Sequence, residues 1–294
     1  MQLQPRLCLF GLLSLTSFVY AAPTVENGYV RTPAGVFPAS CVQDVGDNAR
    51  VIADGRVTYS DGREATLPSC PVQKHLSDAP DYTPPGSWIM DSIAQSSVPA
   101  IHMTSTFVVP PAPSASEDQL DYFFPGMRPA NGASVLQPVL QWGGGDPSWQ
   151  IASWSCAAVS GGPCPHSSYV SVNSGDTIFG EIQGSNCNSD GACDWTIITT
   201  DKTTGQSTTL NTQYDWRSYT LLFGGVLESY DVGQCADYPA GGKITFTGVN
   251  FYDAKANLIV PQWYPQYDDT SYCHQSIQTT SDTTELDFID TSAR

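Results

Sequence analysis

Residues Tyr169–Ile182 read YVSVNSGDTIFGEI, two runs of β-branched and aromatic residues around Asn173-Ser174-Gly175-Asp176. Val, Thr, Ile, Tyr and Phe suit a pleated, half-buried surface. Asn and Asp bond their own backbone, and Gly accepts a positive φ, so the centre reads as a turn and the whole as a hairpin. The same pattern extends outward. Toward the C-terminus, Trp195–Thr200 and Gln206–Leu210 flank Thr204-Gly205, followed by Tyr219–Phe223, Gly225–Tyr230, Ile244–Val249 and Leu258–Val260. Toward the N-terminus lie Met103–Val109, Tyr122–Phe124, Val135–Trp142 and Trp149–Cys156. About a dozen short strands separated by turns, with no sustained helical period and no internal repeat, predict an all-β jelly-roll sandwich forming one domain over residues 100–270.

The flanks read differently. Residues 22–75 predict a small N-terminal β unit, because Asp54-Gly55 and Asp61-Gly62 punctuate Val51-Ile52 and Val57-Thr58-Tyr59. The unit is either a propeptide or an integral appendage. Residues 76–99, with Pro80, Pro84 and Pro85, read as a linker carrying a short turn or helix near Trp88. Residues 271–294 are rich in Thr, Ser and Asp and read as a polar tail that frays.

Composition narrows the function classes. The 294 residues carry 12 Lys+Arg against 29 Asp+Glu, a formal charge of −17, and only 14% are charged. Such a surface has no basic face for phosphates, which argues against nucleic acid, and it favours solubility and activity in acid, where self-repulsion falls. No phosphate-binding glycine motif is present. Arg6, the apolar run Leu7–Val19 and Tyr20-Ala21-Ala22-Pro23 have the form of a secretory leader over residues 1–21; the run is too short to span a bilayer. Secretion agrees with the cysteines. Cys8 leaves with the leader, and Cys41, Cys70, Cys156, Cys164, Cys187, Cys193, Cys235 and Cys273 remain as four disulfides, which neighbour spacing pairs as 41–70, 156–164, 187–193 and 235–273. With no CxxC and only His75, His102, His166 and His274, scattered, no metal or cofactor is implied.

Several catalytic arrangements fail on residue types. No Gly-x-Ser-x-Gly elbow is present, no His is placed as a base, and His166 reads as exposed in a Cys/Pro-bracketed loop. Asp-Thr-Gly turns are absent, and Glu181 and Glu228 are the glutamates expected on core strands, with Glu117 in a loop and Glu285 in the tail. Val135-Leu136-Gln137-Pro138-Val139-Leu140-Gln141-Trp142 repeats Gln four residues apart, which puts Gln137 and Gln141 on one face. Gly225–Tyr230 carries Glu228 among apolar residues, where desolvation raises a carboxyl pKa and suits it to proton transfer in acid. Gln137 could donate to a developing oxyanion. The plainer alternative makes both satisfied polar groups on a wet sheet face.

Taken in order, Val135-Leu136-Gln137, Trp154, Asn173–Asp176, Thr203-Thr204-Gly205-Gln206 and Val226–Tyr230 resemble the fungal glutamic peptidases, or eqolisins, over about residues 100 to 250. The resemblance implies a concanavalin-like jelly roll secreted as an acid protease. Glu228 would be the base that activates water, Gln137 the amide that stabilises the tetrahedral intermediate, and Trp154 a lining residue. The family's Trp-x-Gly-Ile-Asp-Gly segment is replaced by Phe123–Arg128, so an aspartate of its site has no counterpart. A carbohydrate-active sandwich is the alternative, because Trp142, Trp149, Trp154, Trp195, Trp216 and Trp263 could stack on sugars, with Gln141 beside them. Hydrolysis expects Gln137 and Glu228 within about 3–5 Å in an open groove; glycan binding expects a groove lined by tryptophans such as Trp142, Trp149 and Trp154, with Gln141, and without a buried acid. Either way the partner is a polypeptide or polysaccharide outside the cell, without nucleic acid or membrane, and the chain is read as a monomer.

Overall fold

A computed structural model describes residues 28–52, 55–68, 70, 86–115, 118–132, 134–145, 147–157, 162–267 and 273–289. The leader, Asp54, Glu117, Pro80, Pro84 and Pro85 lie outside the described residues. Among these residues the chain forms a β-sandwich of two large sheets, of nine and eleven strands, and a separate hairpin, Tyr29–Thr32 with Gly35–Pro38. All four disulfides pair as spacing predicts. No helix among the described residues is long and apolar enough to cross a membrane.

The two sheets differ in how they meet water, and their sequences say so. In Ala192–Asp201 every second residue is buried, which puts Cys193, Trp195 and Ile197 inward and leaves Asp194, Thr196 and Ile198 half-exposed. This alternating sheet runs Ser276–Thr279, Thr283–Asp287, Lys243–Tyr252, His102–Val108, Thr177–Ser185, Ala192–Asp201, Ser207–Asp215, Arg50–Ile52, Arg56–Thr58, Glu64–Thr66, with Leu258–Ile259 also paired to Lys243–Tyr252. In the other sheet, Leu120–Pro129, Val135–Gly143, Trp149–Cys156 and Tyr219–Tyr230 are buried almost throughout. A strand hidden on both faces has no reason to alternate, and VLQPVLQW does not. One face of this covered sheet packs on its partner through Phe123, Leu136, Leu140, Ile151 and Leu227, against Phe107, Ile182, Trp195 and Phe246. The other face holds a second cluster that includes Tyr122, Phe124, Val139, Trp154 and Tyr230, roofed by Val36, Phe37, Cys41 and Cys70.

Several local readings change once the partners are known. The Asn173–Asp176 turn forms, with Asp176 N–H donating to Asn173 O at 3.0 Å and Gly175 at φ 91°. It does not close a hairpin: Val170–Val172 pairs with Trp149–Ile151 in the covered sheet, and Thr177–Ser185 pairs with His102–Val108 and Ala192–Asp201 in the other. The turn therefore carries the chain from sheet to sheet. Gly86–Gln95, within the expected linker, is an inner strand beside Tyr219–Tyr230, because Met90 and Ala94 supply core contacts that its proline-rich approach conceals. Tyr219–Phe223 and Gly225–Tyr230 are one strand with a register shift at the glycines. A Cβ at Gly225 would lie 2.5 Å from the Phe246 ring, so only glycine permits this approach of the sheets.

The N-terminal residues enter both sheets. Val42–Asp44 runs parallel to Cys164–His166, and Arg50–Ile52 parallel to Asn211–Gln213. The polar tail is also structural: Ser276–Thr279 and Thr283–Asp287 pair in sequence onto Lys243–Tyr252, which gives Glu285 a strand position, and Leu286 and Phe288 are fully buried. In Thr283–Asp287 every second residue, Thr284 and Leu286, is buried, while Thr283, Glu285 and Asp287 are half-exposed. Leu286→Ala is expected to cost about 2–5 kcal/mol in denaturant unfolding at fixed pH, as for a buried leucine; a loss under about 0.5 kcal/mol would restore the fraying-tail description.

Candidate active site

Four neighbouring strands of the covered sheet supply the site. Along Val135–Gly143 the pleat sends Leu136, Leu140 and Trp142 into the inter-sheet core and Gln137, Val139 and Gln141 to the opposite, outer face. Register aligns Glu228 with Tyr122, Tyr122 with Gln141, and Gln141 with Gln150, a polar row across four strands of that face. Gln137 lies opposite Trp154, whose ring is 6.4 Å from Tyr122 and 4.3 Å from His166.

The groove is not open. The hairpin Tyr29–Pro38 lies over it, and its tip engages the candidate catalytic groups through main chain. The Gln137 Nε2–H donates to Pro33 O. The Gly35 N–H donates to Glu228 Oε1 at 3.0 Å. The Tyr122 hydroxyl donates to Arg31 O at 2.9 Å, and the Tyr230 hydroxyl reaches both Thr32 O, at 3.2 Å, and Glu228 Oε1. Arg31 pairs with Asp231 and stands over the Tyr230 ring. Gln137 is 0% and Glu228 1% exposed, and Gln137 Oε1 finds no hydrogen-bond partner among the described residues.

Burial controls the protons here. Desolvation pushes the Glu228 carboxyl up to about 8, against the opposing donation from Tyr230, Gly35 and Trp88. The Tyr122 and Tyr230 hydroxyls are raised well above the usual tyrosine value, mainly by burial. Behind the row, Ser229 donates to Asp121 at 2.7 Å, and burial raises Asp121 to about 7. His166, expected to be exposed, is 3% exposed on a strand; burial lowers its pKa, and its Nδ1 is 2.8 Å from Ser167 O.

The structure gathers Gln137, Gln141, Trp154 and Glu228 on one face and separates Trp142 and Trp149 from them. Those two rings, 5.1 Å apart, face the inter-sheet core, because the pleat turns them away from Gln141. Trp195 is also buried in that core, and Trp216 and Trp263 pack against it. The tryptophan-lined groove expected for a glycan is therefore not formed among the described residues. Sequence reasoning missed Tyr122 and Tyr230, whose hydroxyls flank Glu228, and missed the tip Thr32–Gly35. Its Pro and Gly were a turn signal in the sequence.

No family model matches this chain, and no curated protein does. Among solved structures, scytalidoglutamic peptidase with a peptide-based transition-state analog aligns at a TM-score of 0.51 with 13% identity, over 70% of this chain and 100% of that one. The likeness is one of fold. SCP-B, a member of the eqolisin family solved with the tripeptide Ala-Ile-His, aligns at 0.48 with 14% identity over 70% and 100%. Aspergilloglutamic peptidase from Aspergillus niger aligns at 0.36 with 15% identity over 59% and 100%.

The tip can be displaced by one substitution. Gly35 has φ 104°, which proline cannot adopt, and proline has no N–H for Glu228. Gly35→Pro is expected to strip hydrogen-exchange protection from residues 31–37 and spare that of Ala192–Asp201. Unchanged protection at the tip would mean that the contact to Glu228 holds nothing in place.

Proposed function

We propose that this chain is a secreted acid hydrolase of peptide bonds in which Glu228 moves the protons and Gln137 steadies the oxyanion. One observation carries the reading: a carboxyl and a carboxamide from different strands meet the same short piece of polypeptide, at Pro33 O and Gly35 N–H. The eqolisin-like fold and the residue order of the sequence support it.

With a substrate in place of the tip, ionised Glu228 takes a proton from water as the water oxygen attacks the scissile carbonyl carbon. The Gln137 Nε2–H donates to the carbonyl oxygen as it becomes negative. Protonated Glu228 then gives its proton to the departing amide nitrogen, the C–N bond breaks, and the carboxylate is restored. Tyr122 and Tyr230 hold substrate carbonyls, as they now hold those of Arg31 and Thr32. Burial, the largest cause of the raised Glu228 pKa, is relieved when water enters the groove, so the opened site works with an ionised base in acid.

The test is digestion of acid-denatured casein by the Gly35→Pro chain between about pH 2 and pH 7. Cleavage peaking in acid and insensitive to pepstatin is expected. Adding Gln137→Ala should lower kcat by about 10²–10³-fold, the effect of losing one oxyanion donor. Equal rates with and without Gln137 would remove it from the chemistry.

A further inference from the structure

Residues 28–70 are joined covalently to the rest of the chain by polypeptide alone. Cys41–Cys70 closes within the segment, and Cys156–Cys164, Cys187–Cys193 and Cys235–Cys273 close within the remainder. The segment is nonetheless docked at three places: along Cys164–His166, along Asn211–Gln213, and over the outer face of the covered sheet. At the third place the hydrogen bonds between the tip and Gln137, Glu228, Tyr122 and Tyr230 all involve main-chain atoms of the tip. Contacts of that kind read an extended peptide whatever its side chains.

We propose that the outer face around Gln137, Glu228, Tyr122 and Tyr230 is a peptide main-chain binding site, that Arg31–Gly35 is its built-in ligand, and that this ligand masks the site until it is displaced. The proposal rests on the hydrolase reading for its consequence but not for the binding. Arg31 to Asp231 adds an ionic anchor at one side, and Val36 and Phe37, 6% and 1% exposed, add an apolar one at the other.

The tip is built to be held without being cut. Hydrolysis at Pro33 would put the water hydroxyl on its carbonyl carbon and a proton on Ala34 N. Gln137 does hold the Pro33 carbonyl, but the Ala34 N–H donates to Thr32 Oγ1 at 3.3 Å. The Thr32 hydroxyl donates to Gly35 O at 2.7 Å, and Glu228 accepts from Gly35 N–H, one residue past the nitrogen that must be protonated. The turn thus holds the Glu228 carboxyl on the Gly35 N–H, one residue away from the Ala34 nitrogen that would have to be protonated.

The test uses the full chain, its Gly35→Pro variant, and a synthetic peptide Tyr29–Pro38 with blocked ends. The peptide should bind the variant at micromolar concentration by calorimetry and leave the wild type untouched, because a filled site lowers apparent affinity by the unmasked fraction, here at least about tenfold. Casein hydrolysis should rise by a similar factor in the variant and fall again as peptide is added. Arg31→Glu, which sets like charge beside Asp231 and leaves the turn intact, is the second variant if Gly35→Pro does not fold. Equal binding to masked and unmasked chains, or none to a chain whose tip exchanges freely, overturns the proposal, as does a tip that stays protected in both variants. Peptide binding confined to the unmasked chain, with no casein cleaved, upholds the masking and removes the hydrolase reading.

Discussion

Glu228→Gln, introduced into the Gly35→Pro chain, is expected to lower kcat for casein-derived peptides by about 10²–10⁴-fold while leaving KM within about threefold. Glutamine has the shape of the carboxyl and can still accept a hydrogen bond from a substrate N–H where Gly35 N–H now binds. It cannot take a proton from water or return one to the amide nitrogen. A group that acts only on protons in flight lowers kcat without loosening ground-state binding. The contrast with Gln137→Ala is part of the prediction: Glu228 handles both proton transfers and Gln137 supplies one hydrogen bond, so the carboxyl should be the costlier loss. A fall of less than tenfold, or a loss confined to KM, would leave Glu228 as a substrate-binding residue only.

The second large effect concerns stability against pH. Burial raises Glu228 to about 8, Asp121 to about 7 and Asp91 to about 6, each with desolvation as the leading cause. A carboxyl whose folded pKa lies above its unfolded value favours the protonated fold. Its contribution is therefore complete below the ordinary carboxyl range and is lost as pH rises through the raised value. The window runs from about pH 4 to pH 8. A tenfold change in proton affinity between the folded and unfolded chain is worth about 1.4 kcal/mol, so Glu228 alone is an effect of a few kcal/mol, and the melting temperature should fall by on the order of 10 °C across that window.

Asp194, Asp215 and Glu285 move the opposite way, Asp215 first by its bond to Arg217 and Glu285 first by its bond to Thr245, while the bonds to Asn186, Arg50 and Gln213 outweigh desolvation at Asp194. Asp215 is exposed and Asp194 and Glu285 are half-exposed, so solvent screens their share, which is lost only in stronger acid. General self-repulsion at −17 works in the same direction as Glu228. Glu228→Gln separates the two: calorimetry should find the variant more stable than wild type at pH 8 and within about 2 °C of it at pH 5. A variant less stable by the same margin at both values would show that Glu228 is not a buried acid in the folded chain.

Turn chemistry, disulfide spacing and the all-β class were legible in the sequence because each acts within a few residues of itself. Thr204-Gly205 closes the hairpin it announces, between Ala192–Asp201 and Ser207–Asp215, and Asp61-Gly62 does the same between Arg56–Thr58 and Glu64–Thr66. The shared face of Gln137 and Gln141 follows from the two-residue pleat alone. The pleat also turns Trp142 and Trp149 away from that face, which made their exclusion readable where the lining role assigned to them was not.

What lay beyond the sequence is everything settled by which distant surface covers which. The Asn173–Asp176 turn looks the same locally whether it closes a hairpin or bridges two sheets, and only the pairing with Trp149–Ile151 and His102–Val108 decides. Gly86–Gln95 and Thr283–Asp287 have little intrinsic strand signal and become strands because edges of the sheets need partners. The run VLQPVLQW carried a trace of the answer, since apolar residues on both faces imply two covers, yet nothing in it names the second cover. That cover is a hairpin about a hundred residues upstream in sequence, held by main-chain hydrogen bonds that leave no mark on residue type. The sequence by itself determined the sandwich, its disulfides and the Gln137/Glu228 candidates; the tertiary structure alone decided that Arg31–Gly35 lies on them, because burial and long-range backbone pairing are properties of the assembled surface.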